Sequence, residues 1–372
     1  MPLNRLGPRF RTSVAPMIDV TDPCFLRVLR LISPTHNHQL WTEMIHANAF
    51  SRGRIHADSA KLAQSIPLHE LPDYSHGVVV QIGSSTPGDA AVAVQELGRL
   101  GVRHVNLNCG CPSRNVQMGA FGAVLMQSPE LVGQIVSAMA EAATDGMHIS
   151  VKCRIGIDHD ESFGFLQRFI ETVSRSTGHP VSFVLHARRA WLDGLSPEQN
   201  RKVPVLNYER AYEMIKEFPH TSFVVNGGID SVDSVQRQLD KADGVMLGRK
   251  IREDPWFLAS LDQHIYGVSE SQIPSQESVL QQYLQFADAM HSDYATRYTV
   301  LARPLYAFFR GGKGRALRRH LGHAISQAKV RNGDRVTYTV PFSDVVNGAV
   351  YQAQQQHTHA TENPAVQQAA QM

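Results

Sequence analysis

The stretch "VVVQIGSSTPGDAAVAVQELGRLGVRHVNLN", residues 78 to 108, contains one complete unit of the fold. Two short runs rich in β-branched residues, "VVVQI" and "VRHVNLN", flank a segment whose apolar residues recur at helical spacing. Strands that alternate with helices pair in parallel, and the helices cover the sheet. The stretch therefore predicts an α/β protein with a parallel sheet.

Similar runs recur along roughly the first 250 residues, again with helical patterns between them. They are "TSVAP" (12–16), "LWTEM" (40–44), "HISVKCR" (148–154), "SFVLHA" (182–187), "SFVVNGG" (222–228) and "DGVMLGR" (243–249). Eight strands over this length match a (β/α)8 TIM barrel better than an open doubly wound sheet. We expect the barrel to occupy residues 1–265.

A second domain is predicted beyond a polar connector around residues 265 to 278. Residues 275–350 carry apolar side chains at helical intervals, which indicates a small helical domain. Residues 353–372 are rich in Gln, Ala and Thr and have little to bury, so we expect a disordered tail.

Composition excludes several classes of protein. The 36 Lys and Arg against 34 Asp and Glu give a net charge of +2, which alone does not indicate nucleic acid. Four cysteines are too few for a disulfide scaffold and favour a reducing compartment. No run is long enough to span a membrane, so we expect no membrane contact. We also expect a cytoplasmic protein that acts as a monomer. The basic opening "MPLNRLGPRFR" is either a short loop or the remnant of an organelle-targeting segment.

Positive charge is concentrated between Arg297 and Arg335, where ten Lys and Arg accompany a single acid, Asp334. Within this segment, Arg315, Arg318 and Arg319 have spacings that let them share a helix face. Such a run is either a solvated surface or a contact for a phosphate backbone.

Polar side chains stand at the carboxyl end of nearly every predicted strand, where TIM barrels carry their chemistry. Besides the Pro16–Met17 pair that follows the first strand, they are Glu43, Gln81, Asn106, Asn108, Lys152, Arg154, His186, Arg188, Asn226 and Arg249. Taken alone, each of these residues could simply be a polar residue at the point where a strand leaves the sheet. Together they predict a single polar site.

Glycines follow the seventh and eighth strands, as Asn226-Gly227-Gly228 and Gly248-Arg249. Loops at these two places commonly bind phosphate, because glycine lets backbone N–H groups approach the oxygens. The sequence thus indicates FMN or a phosphorylated sugar or triose, unless the glycines serve only as turns.

The loop "NLNCGCPSRNVQMGAFGAVLM", residues 106 to 126, holds two cysteines one residue apart. A zinc site would need further thiol or imidazole ligands at motif-like spacing, and the sequence has no second cysteine pair, so we expect no metal. A thiol here would act as a proton donor or as a nucleophile. Cys109, at the end of an apolar run, is equally compatible with a small buried filler.

Taken in order, several motifs make the chain resemble the tRNA-dihydrouridine synthases over about residues 11 to 325. They are "VAPMIDVTD", the cysteine loop, "VKCRIGID", "LHARRAWLDGLSPEQNRKVPVLNY", "NGGI" and "DGVMLGR", and the fourth is similar to the A-type branch. The resemblance implies an FMN-binding TIM barrel with a helical carboxyl-terminal domain. It also implies reduction of uridine to 5,6-dihydrouridine in the tRNA D-loop, at positions 20 and 20a, with NADPH reducing FMN.

Matching the motifs residue by residue implies individual roles. Cys111, in "GCP", is the acid that protonates carbon 5 of the base, and Cys109 is not. The cofactor positions are Pro16, Met17, Ile18, Gln81, Lys152, His186, Asn226, Gly227, Gly228, Gly248 and Arg249. The tRNA positions are Asn108, Arg201, Arg315 and Arg318. An alternative for Lys152 is the amine nucleophile of a barrel aldolase.

Two residues depart from the family pattern. Glu198 stands where this branch usually has a basic residue, and an acid there would repel phosphate. Arg114 replaces the usual Asp and would raise the positive potential near Cys111. Two other functions stay open: a flavin barrel acting on a free pyrimidine or another small unsaturated substrate, and an RNA-binding chaperone without chemistry.

Overall fold

The computed structural model describes residues 11–53, 55, 60–67, 77–309, 311–332 and 335–361. Eight parallel strands close into a barrel in sequence order, which confirms the predicted TIM barrel. They are β1 (Thr12–Val14), β2 (His38–His46), β3 (Val78–Gly83), β4 (His104–Cys109), β5 (His148–Arg154), β6 (Ser182–His186), β7 (Phe223–Asn226) and β8 (Gly244–Leu247). Thr12 pairs with both His38 and Val245, so the first strand joins the second to the eighth.

Helices on the outside of the barrel begin at cap residues that the sequence supplies. The longer ones are Pro23–Ile32, Pro87–Arg99, Pro129–Ala142, Phe163–Arg175, Tyr208–Glu217, Val232–Leu239 and Phe257–Tyr266. Asp22 and Ser162 accept hydrogen bonds from backbone N–H groups of the first turns that they precede. Proline at the first helical position costs no hydrogen bond, which explains the starts at Pro23, Pro87 and Pro129.

The carboxyl-terminal region is mainly helical but contains a hairpin that we did not expect. Its helices are Gln276–Tyr294, Tyr298–Leu301, Leu305–Phe308, Gly311–Ala328 and Phe342–Thr361. Strands β9 (Lys329–Asn332) and β10 (Arg335–Tyr338) pair antiparallel between the last two helices. The dipeptide Asn332-Gly333 is a hairpin signal that the helical prediction overlooked.

The last helix also continues past the predicted start of the tail. It runs to Thr361, so residues 353 to 361 are helical where we expected disorder. Val346, Ala349 and Ala353 are buried on one side of this helix, so its buried apolar face reaches the first residue of the predicted tail. Residues 362–372, and residues 1–10 of the basic opening, lie outside the described part of the chain.

A shared hydrophobic core joins the barrel to the helical region. The first barrel helix, Pro23–Ile32, packs against Gln276–Tyr294, and one buried cluster includes Phe25, Tyr283 and Phe342. The predicted boundary between residues 265 and 275 falls between two helices, but the apolar core crosses it. No helix in the described ranges is long and apolar enough to cross a membrane.

Candidate active site

A cavity of about 560 Å³ opens at the carboxyl ends of the barrel strands. The residues that we assigned to the cofactor all line it: Pro16, Met17, Ile18, Gln81, Lys152, His186, Asn226, Gly227, Gly228, Gly248 and Arg249. Cys111, Asn108 and Arg201 line the same cavity. The structure therefore gathers in one place side chains that are spread over more than 230 residues of sequence.

Strand register explains this convergence. Asn108 pairs with Lys152 on the next strand, and His186 pairs with Asn226. In a parallel barrel, residues in register at the carboxyl ends form a ring around the mouth. Of the other polar strand-end residues, Glu43, Asn106 and Arg188 do not line the cavity, although Arg154 does.

A chain of amide side chains leads from the cysteine loop into the barrel interior. The N–H groups of Gly110 and Cys111 both donate to Asn108 Oδ1 at 3.0 Å. Asn108 Nδ2 donates to Gln81 Oε1, and Gln81 Nε2 donates to Asn106 Oδ1, each at 2.9 Å. Because these bonds all run in one direction, they fix the orientation of each amide and hold the backbone beside Cys111.

The cysteine loop folds back on itself. The Ala123 N–H donates to the Cys111 carbonyl at 2.9 Å, and Gly122 adopts a left-handed φ of 77°. A Cβ at Gly122 would come within 2.5 Å of the Cys111 carbonyl oxygen, so only glycine fits there. This fold leaves Cys111 partly exposed in the cavity wall.

Cys109 has a different environment from Cys111. It is fully buried in the apolar core, and that burial raises the pKa of its thiol well above the ordinary value. A thiol with this environment neither meets substrate nor forms the thiolate. The interpretation of Cys109 as a buried filler fits the structure.

Lys152 is the central cation of the cavity. Its Nζ donates to Asn226 Oδ1 at 3.1 Å, while Asn226 Nδ2 donates to the Met246 carbonyl at 2.8 Å. Burial, together with nearby Arg154, lowers the pKa of Lys152 to about 7. An anion in the cavity would favour the charged amine, so the site is poised to bind negative charge.

Arg154 hydrogen-bonds three segments around the mouth of the barrel. We assigned it no individual role from the sequence. Its Nε donates to the Gly110 carbonyl at 3.0 Å, and its Nη1 donates to the carbonyls of Arg189 and Asn200 at 3.2 and 3.1 Å. Burial lowers the pKa of Arg154 to about 10, which leaves it charged at neutral pH. Its position at a strand end was the only sequence signal for it.

His186 faces the cavity as a neutral imidazole. Burial, followed by the charges of Arg154 and Lys152, lowers its pKa well below the ordinary value. A neutral ring offers one donor and one acceptor to a ligand instead of a second positive charge.

Beside His186, the two glycines that follow β7 form a tightly packed turn. Gly227 and Gly228 have φ values of 121° and 67°, which side chains rarely adopt. A Cβ on Gly228 would lie 2.4 Å from Leu206 Cδ1, and one on Gly227 would lie 2.9 Å from His186 Cδ2. Both glycines line the cavity and have no side chain, so their main chain forms this part of the cavity wall.

The rim near this turn is basic. Arg201, Arg249, Lys250 and Arg252 line the cavity, together with the acids Asp230 and Glu253. Lys250 pairs with Asp254 at 3.1 Å and Arg252 with Glu253 at 3.4 Å. Among the residues described, Arg201 and Arg249 form no ion pair, so their charges are available to an anion.

Arg315 and Arg318 lie elsewhere, on the helix Gly311–Ala328 of the carboxyl-terminal region. Both are exposed, and Arg318 Nη1 donates to the Tyr306 carbonyl at 2.8 Å. Neither arginine lines the cavity. A ligand bound in the cavity would reach them only through a part that extends beyond the mouth. No group of three His, Cys, Asp or Glu in the described ranges is placed to hold a metal ion.

An eight-stranded barrel with a polar, cation-lined cavity at the carboxyl ends of its strands defines an enzyme of the TIM-barrel class. The chain belongs to the dihydrouridine synthase family, whose sequence profile matches residues 13–340. Members of this family are flavin-dependent oxidoreductases. This membership overturns the aldolase alternative for Lys152 and the chaperone without chemistry.

Named relatives agree with the family match. The chain is 39% identical over 311 residues to a protein of Shewanella oneidensis, covering 83% of this chain and 87% of the relative. It is 38% identical to a protein of Vibrio cholerae, covering 84% and 90%. It is 41% identical to one of Escherichia coli K12, covering 70% and 71%. Each of these relatives is named tRNA-dihydrouridine(20/20a) synthase.

Proposed function

We propose that this protein reduces uridine to 5,6-dihydrouridine in the D-loop of tRNA, at positions 20 and 20a, with FMN as cofactor and NADPH as reductant. One observation carries the proposal. A partly exposed thiol, Cys111, lines the same cavity as the residues that match the cofactor positions of the family. The names of the relatives support the choice of substrate and positions.

The residues of the cavity fit FMN. A volume of about 560 Å³ lies within the range of small-molecule and cofactor pockets. The main chain at Gly227 and Gly228, with Arg249 beside it, suits a phosphate group. Lys152, whose hydrogen-bond partner is the neutral amide of Asn226, would favour an anionic ring system, with Gln81 as a further polar neighbour.

FMN held by these residues and reduced by NADPH would supply the hydride for carbon 6 of the uracil ring. Cys111 donates the proton to carbon 5, which completes the reduction of the double bond. Asn108 positions the thiol, because its carbonyl oxygen holds the N–H groups of Gly110 and Cys111. The partial exposure of Cys111 lets it recover its proton from solvent before the next turnover.

The tRNA must present its uridine outside the base stack, because the cavity lies inside the barrel mouth. Arg201, at the rim, would contact the nucleotide that enters. Arg315 and Arg318 would contact the RNA backbone farther away, on the helical region. We infer that the protein acts as a monomer in the cytoplasm, where tRNA is available to it.

The first experiment is the visible absorption spectrum of the purified protein, before and after NADPH is added without oxygen. We expect a flavin spectrum that bleaches, and extraction should release FMN. Dihydrouridine is then mapped in an unmodified tRNA transcript incubated with enzyme and NADPH. A colourless protein that also ignores added FMN contradicts the cofactor assignment. Turnover of free uridine without activity on tRNA would instead support a small-molecule enzyme.

A further inference from the structure

A second cavity, of about 440 Å³, adjoins the first along the cysteine loop. The two share the lining residues Pro112, Ser113 and Pro197, so they lie side by side. We call the second cavity the side groove. Its remaining lining residues are Arg114, Asn115, Leu192, Gly194, Leu195 and Ser196.

Both walls of the side groove are held in place by internal hydrogen bonds. Gln117 Nε2 donates at 2.8 Å to the carbonyls of Pro112 and Leu192, which joins one wall to the other. Behind the second wall, the buried side chain of Asn200 accepts from the Trp191 N–H at 2.8 Å and donates to the Trp191 carbonyl at 2.9 Å. A groove formed in advance costs its ligand little ordering energy.

The side groove is positively charged. Arg114 is the one charged residue that lines it, and it makes no ion pair with any residue in the described ranges. Glu198, which follows Pro197, bonds Lys202 at 2.7 Å, and neither lines the groove. The acid that we expected to repel phosphate is thus paired away from the groove, while the unusual arginine faces into it.

We propose that the side groove binds the nucleotide next to the target uridine, with the Arg114 guanidinium on its phosphate. The inference rests on the proposed function, because a uridine in the main cavity requires its neighbour in the chain to lie just outside. An exposed guanidinium suits the negative backbone of RNA. Enzymes that flip a base commonly contact the flanking nucleotides in this way, which helps select the sequence around the target.

The test compares Arg114→Gln with Arg237→Gln in the flavin-loaded full chain. Arg237, on the helix Val232–Leu239, is also exposed, but it lines neither the main cavity nor the side groove. Binding of an unmodified tRNA transcript is measured over a range of salt concentrations. We expect Arg114→Gln to raise Kd and KM for tRNA about tenfold. The slope of log K against log salt should fall by about 1, and the Arg237→Gln control should match the unmodified enzyme.

A second variant, Asn115→Trp, fills the groove without removing charge and should also weaken tRNA binding. Flavin content and the melting temperature report whether each variant is folded. If Arg114→Gln binds tRNA as tightly as Arg237→Gln while dihydrouridine still forms, the groove inference fails and the proposed function stands. If the unmodified enzyme forms no dihydrouridine but Arg114→Gln still weakens tRNA binding, the proposed function fails and the groove stands.

Discussion

The two ends of the barrel contain similar chemical groups with different consequences. At the amino end, Thr12 Oγ1 bonds His38 Nδ1 at 2.5 Å, and His38 Nε2 lies 3.2 Å from Asp262 Oδ1. Hydroxyl, imidazole and carboxylate in this order resemble a nucleophilic triad. However, the three residues are 1%, 1% and 0% exposed, and neither cavity described above includes them.

At the carboxyl end, the polar groups face a cavity and some cations have no anionic partner among the described residues. The amino-end groups instead contact one another away from any cavity described above, and Tyr266 Oη also bonds Thr12 Oγ1 at 2.9 Å. The comparison shows that residue types alone do not define a site. A site is indicated instead by charged groups that have no ionic partner and lie next to a cavity.

The largest expected effect is on catalysis, from a substitution at the carboxyl end of the barrel. Cys111→Ala removes the proposed acid and should lower kcat for dihydrouridine formation by about 10² to 10⁴. Cys109→Ala is the matched control, because this thiol is buried and we expect it to leave kcat unchanged. Dihydrouridine is counted in tRNA after single-turnover reaction, and flavin content shows that the fold is intact. Full activity of Cys111→Ala would remove the thiol from the mechanism.

The matching change at the amino end should affect stability instead of chemistry. Asp262→Ala leaves His38 without its carboxylate and also removes the acceptor for Thr35 and Asn37. Loss of one partner of a buried pair costs about 3 kcal/mol of unfolding free energy. Urea denaturation measures the loss, with exposed Asp193→Asn as control. A fall in kcat without loss of stability would make the amino-end network functional.

A smaller effect concerns the pH dependence of flavin-free protein. The pKa of Lys152 falls from 10.5 to about 7 on folding, so between these values the unfolded chain binds more protons. Stability should therefore rise with pH through this window, while the cost of burying the charged amine is fully present below pH 7.

Lys152→Met removes this dependence. The melting temperature of the variant should change less between pH 7 and 10 than that of the parent protein, and bound FMN should reduce the difference between them. Parallel melting curves for the two flavin-free proteins would show that Lys152 keeps its ordinary pKa.

The smallest expected effect lies on the surface. Glu198→Gln releases Lys202 from an exposed ion pair, and such pairs contribute little to stability. We expect an unchanged melting temperature and a change in tRNA Kd of less than about twofold, since the carboxylate is already paired. Lys202→Gln serves as the reciprocal control. A large gain in affinity for Glu198→Gln would restore the expectation that this acid repels phosphate.

The sequence predicts the barrel well because each strand is a short, local signal. All eight runs become strands, and register then brings their ends together. The sequence does not reveal which of the polar residues at the strand ends line the cavity. Asn106 does not, since it bonds Ser150, and neither does Glu43, which accepts from the Val20 N–H. Those choices depend on contacts between distant segments.

Loops were the least predictable part of the site. The role of Arg154 arises from three carbonyls contributed by Gly110, Arg189 and Asn200, which no local pattern connects. The side groove likewise forms between the cysteine loop and residues 192 to 197. Hydrophobic periodicity in the sequence predicts a helix or strand and its buried face. A groove between two loops forms only when the whole chain has folded.

The shared core that joins both ends of the chain also sets an order of events during synthesis. Strand β1 needs β8, and the helix Pro23–Ile32 packs against Gln276–Tyr294. On a ribosome adding about 5–20 residues per second, that helix waits roughly 12 to 50 s for its partner. Over that interval the nascent chain exposes the apolar face that Gln276–Tyr294 later covers, and a chain truncated before Gln276 would keep that face exposed.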